Sequence, residues 1–228
     1  MKKFNTSLYY ALDFKEAADA HNILGKINPY IDGIKVGLEF FVSNGPKSVI
    51  ELKRYDLPIF LDLKLHDIPN TVSKAVNGIM EIKPEILSVH ISGGRKMLKE
   101  VTCKKFRPKI VGITLLTSLD QNDLFDVGIN LSPENYVKRL ASIAIETKLD
   151  GLVTSVKEAK AVKSYCPDDF LIIIPGIRME LDNLEDQKRV ASPKEASKNG
   201  ASIIVVGRSI TNSKNPREVA HEIKKSIR

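Results

Sequence analysis

Short runs of branched and apolar residues alternate along this chain with longer stretches whose apolar positions recur every three or four residues. The short runs are Leu8–Asp13, Asp32–Val36, Pro58–Lys64, Ile86–Ile91, Lys109–Leu115, Gly151–Thr154, Leu171–Pro175 and Ser202–Gly207. Each has the length and composition of a strand. Between them, Val72–Ile82 places Val72, Ala75, Val76 and Ile79 at i, i+3, i+4 and i+7, which makes one apolar stripe on a helix. Ser132-Pro133-Glu134, Ser192-Pro193-Lys194-Glu195 and Asn215-Pro216-Arg217-Glu218 each supply a capping residue followed by proline at the first helical position. Eight strands in 228 residues is one per about 28, close to the ~30 residues of a βαβ unit. The pattern predicts an α/β fold, a (β/α)8 TIM barrel forming a single domain over 1–228, since no linker or low-complexity stretch interrupts it. An open doubly wound sheet is the alternative; the absence of Gly-x-Gly-x-x-Gly after the first strand counts against it.

Strand parity then separates inward from outward side chains. In the third strand Leu61 and Leu63 share one face, and Asp62 and Lys64 the other. Leucines suit the helix-covered outside, so an acid and a base point inward. In the second strand Ile34 and Val36 face the helices, while Gly33, Lys35 and Gly37 face in, the glycines leaving room for the lysine. Asp13 shares parity with Ala11 at the C-terminal end of the first strand, the end that carries catalytic groups in such barrels. Buried ion pairs are poor stabilisers, so charges converging from three strands point to chemistry rather than packing. Nearby carboxylates favour the ammonium form of a lysine, which makes it an acid; a Schiff-base lysine needs apolar or cationic surroundings instead. Asp62 beside Lys64 therefore suits expulsion of CO2 from an anionic substrate, followed by proton delivery to the carbon left behind.

Composition narrows the remaining classes. With 43% hydrophobic and 28% charged residues the chain can bury a full core, which excludes disorder, collagen and coiled coil. Runs such as Leu171–Ile174 fall far short of the ~20 apolar residues of a membrane helix. The opening Met1-Lys-Lys-Phe-Asn-Thr-Ser7 lacks a long apolar stretch, so the expected location is cytoplasmic, with no membrane partner. Lysine plus arginine exceed aspartate plus glutamate by 35 − 28 = 7, which draws anionic ligands. The basic residues are nonetheless scattered, and without tryptophan or an aromatic-interleaved basic stripe no nucleic-acid partner is expected. Cys103 and Cys166 form neither a disulfide framework nor a Cys-x-x-Cys pair and read as ordinary reduced thiols.

The segment Asp62-Leu-Lys-Leu-His-Asp-Ile-Pro-Asn-Thr71 resembles the signature of the orotidine 5'-phosphate decarboxylase family. Ala11-Leu-Asp13, Lys35-Val-Gly37, Ser92-Gly-Gly94, Leu116-Thr-Ser118, Pro175-Gly-Ile-Arg178, Asp186-Gln187 and Val206-Gly-Arg208 fall in that family's order. Leu65 stands where many relatives carry phenylalanine, on the outward parity, and bears only on packing. The resemblance implies that Lys64 protonates C6 of the pyrimidine, that Asp62 lies against the substrate carboxylate, and that Lys35 bonds the ribose and orients Asp62. It implies a ribose contact for Asp13, pyrimidine-edge contacts for Thr117 and Ser118, and a base and phosphate contact for Gln187 in a closing loop. It further implies a homodimer in which Asp67 and the turn from Ile68 to Thr71 reach the neighbouring active site, and it implies no cofactor and no metal.

The phosphate end has independent support. Barrels of this type commonly hold phosphate in the loops after the seventh and eighth strands. Pro175-Gly-Ile-Arg178 follows the seventh and Gly207-Arg208 ends the eighth; arginine forks match phosphate, and Gly207 permits close backbone approach. The long polar stretch 179–189 reads as a lid. His21, His66, His90 and His221 lack metal-ligand spacing; His90, inside the fourth strand, reads as a satisfied core histidine and His66 as support for the turn. The nearest rival on the same barrel is a metal-dependent keto-gulonate-phosphate decarboxylase, which shares Asp-x-Lys-x-x-Asp. A non-catalytic barrel that binds phosphate or nucleic acid is suggested only by the net charge.

Overall fold

The computed structural model describes residues 6–179 and 191–228. Its strands are β1 (Ser7–Leu12), β2 (Gly33–Val36), β3 (Ile59–Leu65), β4 (Ile86–His90), β5 (Lys109–Ile113), β6 (Gly151–Val153), β7 (Leu171–Ile174) and β8 (Ile203–Val206). Every neighbouring pair is parallel, and β8 returns to β1 to close the barrel. The predicted strands agree within two residues, because Asp13, Thr154, Pro175 and Gly207 already belong to the loops at the strand ends.

The helices are α1 (Ala17–Ile27), α2 (Leu38–Glu51), α3 (Pro69–Ile79), α4 (Gly94–Thr102), α5 (Gln121–Asp126), α6 (Pro133–Glu146), α7 (Val156–Lys163), α8 (Pro193–Lys198), α9 (Arg208–Thr211) and α10 (Pro216–Ser226). Ser132 Oγ accepts from the Asn135 amide at 3.3 Å, Ser192 Oγ from Glu195 at 3.2 Å and Asn215 Oδ1 from Glu218 at 3.4 Å, so the three expected caps are present. The helix expected over Val72–Ile82 runs instead from Pro69 to Ile79. Proline at the first helical position needs no amide partner, which moves the start back into the signature segment. Ile82 is buried beyond the helix end, which is why the apolar period ran on, but Lys83 takes a left-handed φ of 49° and precedes Pro84.

Two apolar layers result from strand alternation. Leu8, Tyr10, Leu12, Ile34, Val36, Leu61 and Leu63 face the helices, packed with Val72, Val76 and their equivalents. Tyr9, Ala11, Phe60, Ile86, Val111, Ile173, Ile203 and Val205 fill the barrel interior. On β3 the order Phe60, Asp62, Lys64 runs from this apolar plug towards the C-terminal mouth, so the charges sit on a dry floor.

Candidate active site

A cleft of about 220 Å³ opens at the C-terminal mouth of the barrel. It is lined by Asp13, Lys35, Asp62, Lys64, Thr117, Pro175, Arg178, Gly207 and Arg208 among the expected site residues. Ile113, Val153, Ile173 and Val205 form an apolar wall among them. Residues separated by up to 195 positions are thus brought together by the ends of β1, β2, β3, β5, β7 and β8 (208 − 13 = 195).

Two ion pairs organise the charged side. Lys64 Nζ donates to Asp62 Oδ2 at 2.8 Å, and Lys35 Nζ donates to Asp13 Oδ1 at 2.8 Å. Lys35 and Asp62 are buried, whereas the Asp13 side chain is 49% exposed and Lys64 30%. The structure gives Lys35 a different direct partner from the Asp62 it is expected to orient: its ammonium bonds Asp13, while Asp62 is held by Lys64 and by Ser88, whose Oγ donates to Asp62 Oδ1 at 2.8 Å. Both are inward residues, but they stand on different strands, and parity does not say which inward neighbours touch.

The two glycines beside Lys35 behave differently. A Cβ on Gly37 would lie 2.7 Å from Lys35 Nζ and 3.1 Å from Asp13 Oδ1, so that glycine makes room for the pair. A Cβ on Gly33 would lie 2.4 Å from the Tyr9 ring, so the space there is filled by tyrosine rather than kept for the lysine. Lys64 itself adopts a left-handed φ of 51°, uncommon for a residue with a side chain. Strained backbone of this kind persists only where surrounding contacts over-determine it.

The opposite side of the cleft carries Arg178 and Arg208, with Pro175, Gly176 and Gly207 between them. The Arg178 amide bonds the Ala191 carbonyl at 3.0 Å, which ties the loop after β7 to the stretch before α8. Two guanidinium groups and small backbone elements suit an anion with several oxygens. The other expected residues divide. Thr117 lines the cleft, whereas Ser118 is half-buried and does not. Asp67, Ile68 and Thr71 also stand outside the cleft, exposed at the start of α3; Asp67 Oδ1 accepts from the Ile68 amide at 2.7 Å and Ile68 is 66% exposed. Gln187, and with it the stretch 180–189 read as a lid, lies outside the described residues.

His90 departs from the satisfied core histidine that was expected. It is half-buried at the end of β4, its ring centroid 5.5 Å from that of His66. Burial lowers its pKa from the ordinary 6.5, and the nearby His66 and Lys64 charges lower it further while Asp62 opposes them. Ser88 escaped the sequence reading because one serine in an apolar strand carries no periodic signal; only its position across from Asp62 marks it. Thr154 also lines the cleft, and its buried hydroxyl has no hydrogen-bond partner among the described residues. Among the described residues no group of three or more His, Cys, Asp or Glu is placed to hold a metal ion.

Comparison with known proteins brings the same outline. The model of the orotidine 5'-phosphate decarboxylase / HUMPS family matches residues 6–223. An orotidine 5'-phosphate decarboxylase of Sphingopyxis alaskensis is 43% identical over 221 residues, covering 96% of this chain and 98% of the relative. One from Wolbachia pipientis subsp. Culex pipiens is 45% identical, covering 95% and 96% respectively. Among solved structures, the orotidine 5'-phosphate decarboxylase of Lactobacillus acidophilus superposes with a TM-score of 0.84 at 32% identity, covering 97% of this chain and 99% of that one.

Proposed function

This chain belongs to the orotidine 5'-phosphate decarboxylase / HUMPS family, and from that membership and the layout of the cleft we propose how its residues work. The chain is a carboxy-lyase that converts orotidine 5'-phosphate to UMP and CO2 in pyrimidine biosynthesis. Arg178 and Arg208, with the backbone at Gly207 and Pro175, take the phosphate; the Asp13–Lys35 pair takes the ribose hydroxyls; Thr117 meets the pyrimidine edge. This leaves the substrate carboxylate beside Asp62. The bond from C6 to the carboxylate breaks, its electron pair stays on C6, and CO2 departs. Lys64 then gives an N–H proton to C6, and solvent restores the ammonium. The contact that carries this reading is the 2.8 Å pair of Lys64 and Asp62 on the cleft wall facing two arginines. Phosphate binding far from the reacting carbon supplies energy to hold the carboxylate against Asp62.

The proposed working unit is a homodimer in which Asp67, Ile68 and Thr71 enter the partner's cleft; their exposure outside the lining of their own cleft supports this. The same reading places the enzyme in the cytoplasm, acting without nucleic acid or membrane, in keeping with the scattered positions of its basic residues. No helix among the described residues is long and apolar enough to cross a bilayer.

Orotidine 5'-phosphate added to chelator-treated protein tests the activity through loss of the orotate absorbance. Turnover surviving EDTA supports a metal-free reaction, whereas turnover that vanishes and returns with magnesium favours the metal-dependent rival. Lys64→Ala is expected to abolish turnover while UMP still binds, and near-normal turnover would remove Lys64 from its role. Arg208→Ala is expected to raise KM for the phosphorylated substrate by about 10- to 100-fold, as for loss of a charge-assisted contact. Equal weakening of unphosphorylated orotidine would overturn the phosphate assignment.

A further inference from the structure

Ser88 stands at the one place where the ladder between β3 and β4 breaks. Leu61 pairs with Leu87 and the next pair is Leu65 with Val89, so β3 advances four residues (65 − 61) while β4 advances two (89 − 87). Asp62, Leu63 and Lys64 therefore bulge opposite a single β4 residue, Ser88. A bulge leaves backbone groups without their ladder partners. The Lys64 amide, turned by its φ of 51°, donates to Ser88 Oγ at 2.9 Å. The same hydroxyl donates its proton to Asp62 Oδ1 at 2.8 Å, and the other oxygen, Asp62 Oδ2, receives Lys64 Nζ at 2.8 Å. The donor and acceptor roles are fixed, because an amide only donates and an ionised carboxylate only accepts. The result is a closed circuit running from the backbone of Lys64 through Ser88 and Asp62 to the ammonium of that same lysine.

We infer that Ser88 is a positioning residue for the decarboxylation: its hydroxyl sets both the bulged backbone under Lys64 and the orientation of the Asp62 carboxylate. Ser88 is fully buried, so water does not compete for either bond. It is one atom long beyond Cβ, which suits the narrow gap between two paired strands. An alanine there leaves a strained amide and a buried carboxylate oxygen each short of a partner. The pair is then free to rotate or to draw in water, and a displacement of about 1 Å at a reacting centre is enough to cost on the order of 100-fold in rate.

This inference rests on the decarboxylase reading, and its test separates the two. Steady-state kinetics on orotidine 5'-phosphate, UMP binding by calorimetry and a crystal structure are compared for wild type, Ser88→Ala and Ser88→Thr. Ser88→Ala is expected to lose about 100-fold in kcat with the Kd for UMP changed by less than about threefold. Ser88→Thr, which keeps the hydroxyl, is expected to recover at least about a tenth of the wild-type kcat. A Ser88→Ala enzyme within about threefold of wild-type kcat overturns the inference. So does a pair of variants that lose UMP binding and turnover alike, since that marks Ser88 as a general structural residue. Failure of the wild type to turn over the substrate overturns the decarboxylase reading instead. The crystal structure of Ser88→Ala then decides alone, and Asp62 and Lys64 in unchanged positions would sink the positioning role.

Discussion

Burial above all, helped by the nearby His66 and Lys64 charges and opposed by Asp62, keeps the His90 imidazole neutral further into acid than an exposed histidine would stay. The unfolded chain takes up a proton near pH 6.5, while the folded protein resists it, so between these two points the unfolded state binds more protons and stability rises with pH. Above 6.5 both states are neutral there and His90 contributes no slope. Thermal unfolding followed from about pH 7.5 down to about pH 5.5 is expected to show a falling Tm, and His90→Gln to show a smaller fall. A variant with an undiminished slope would assign the effect elsewhere. Thr154 offers a test of opposite sign. Its buried hydroxyl has no partner among the described residues, so the isosteric Thr154→Val removes an unsatisfied polar group. Calorimetry is expected to show a Tm higher by about 2–4 °C, and a lower Tm would mean that the hydroxyl is engaged.

Alternation within single strands reveals which side chains enter the barrel, and at the level of elements that rule carries a long way. Asp62, Lys64, Lys35 and Asp13 all follow from it, as does the outer leucine row. It fails where a contact depends on two strands at once. The bulge between β3 and β4 is set by their joint register, so neither sequence alone announces that Ser88 faces Asp62 or that Lys35 reaches Asp13. Thr117 and Ser118 show a related limit: two polar residues adjacent in a loop read alike in sequence, while the structure lines the cleft with Thr117 and leaves Ser118 outside that lining. Tight packing between strands makes a further prediction. The Tyr9 ring stands where a Gly33 side chain would project, so Gly33→Ala is expected to destabilise by about 1–3 kcal/mol through overpacking. Urea unfolding midpoints measure this, and an unchanged midpoint would show that the ring moves aside freely.

For the whole molecule, the proposed dimer makes each cleft depend on a second chain. Lys64→Ala supplies an intact Asp67, and Asp67→Ala supplies an intact Lys64. Random mixing of two inactive variants makes about half of the dimers mixed, each with one of two sites native, so about a quarter of wild-type activity should return. No recovery would indicate that each chain completes its own site. The architecture also constrains where such an assembly can form. Hydrogen bonds from β7 to β8 and from β8 to β1 complete the ring, so no strand among the described residues is left with an unpaired backbone margin. Exposed margins of that kind are what seed runaway stacking of sheets between chains. A ring without them obliges a second copy to dock by side chains on helices and loops, where recognition is specific to residue identity and self-limiting. Weakening the contact should accordingly release separate barrels rather than seed fibres.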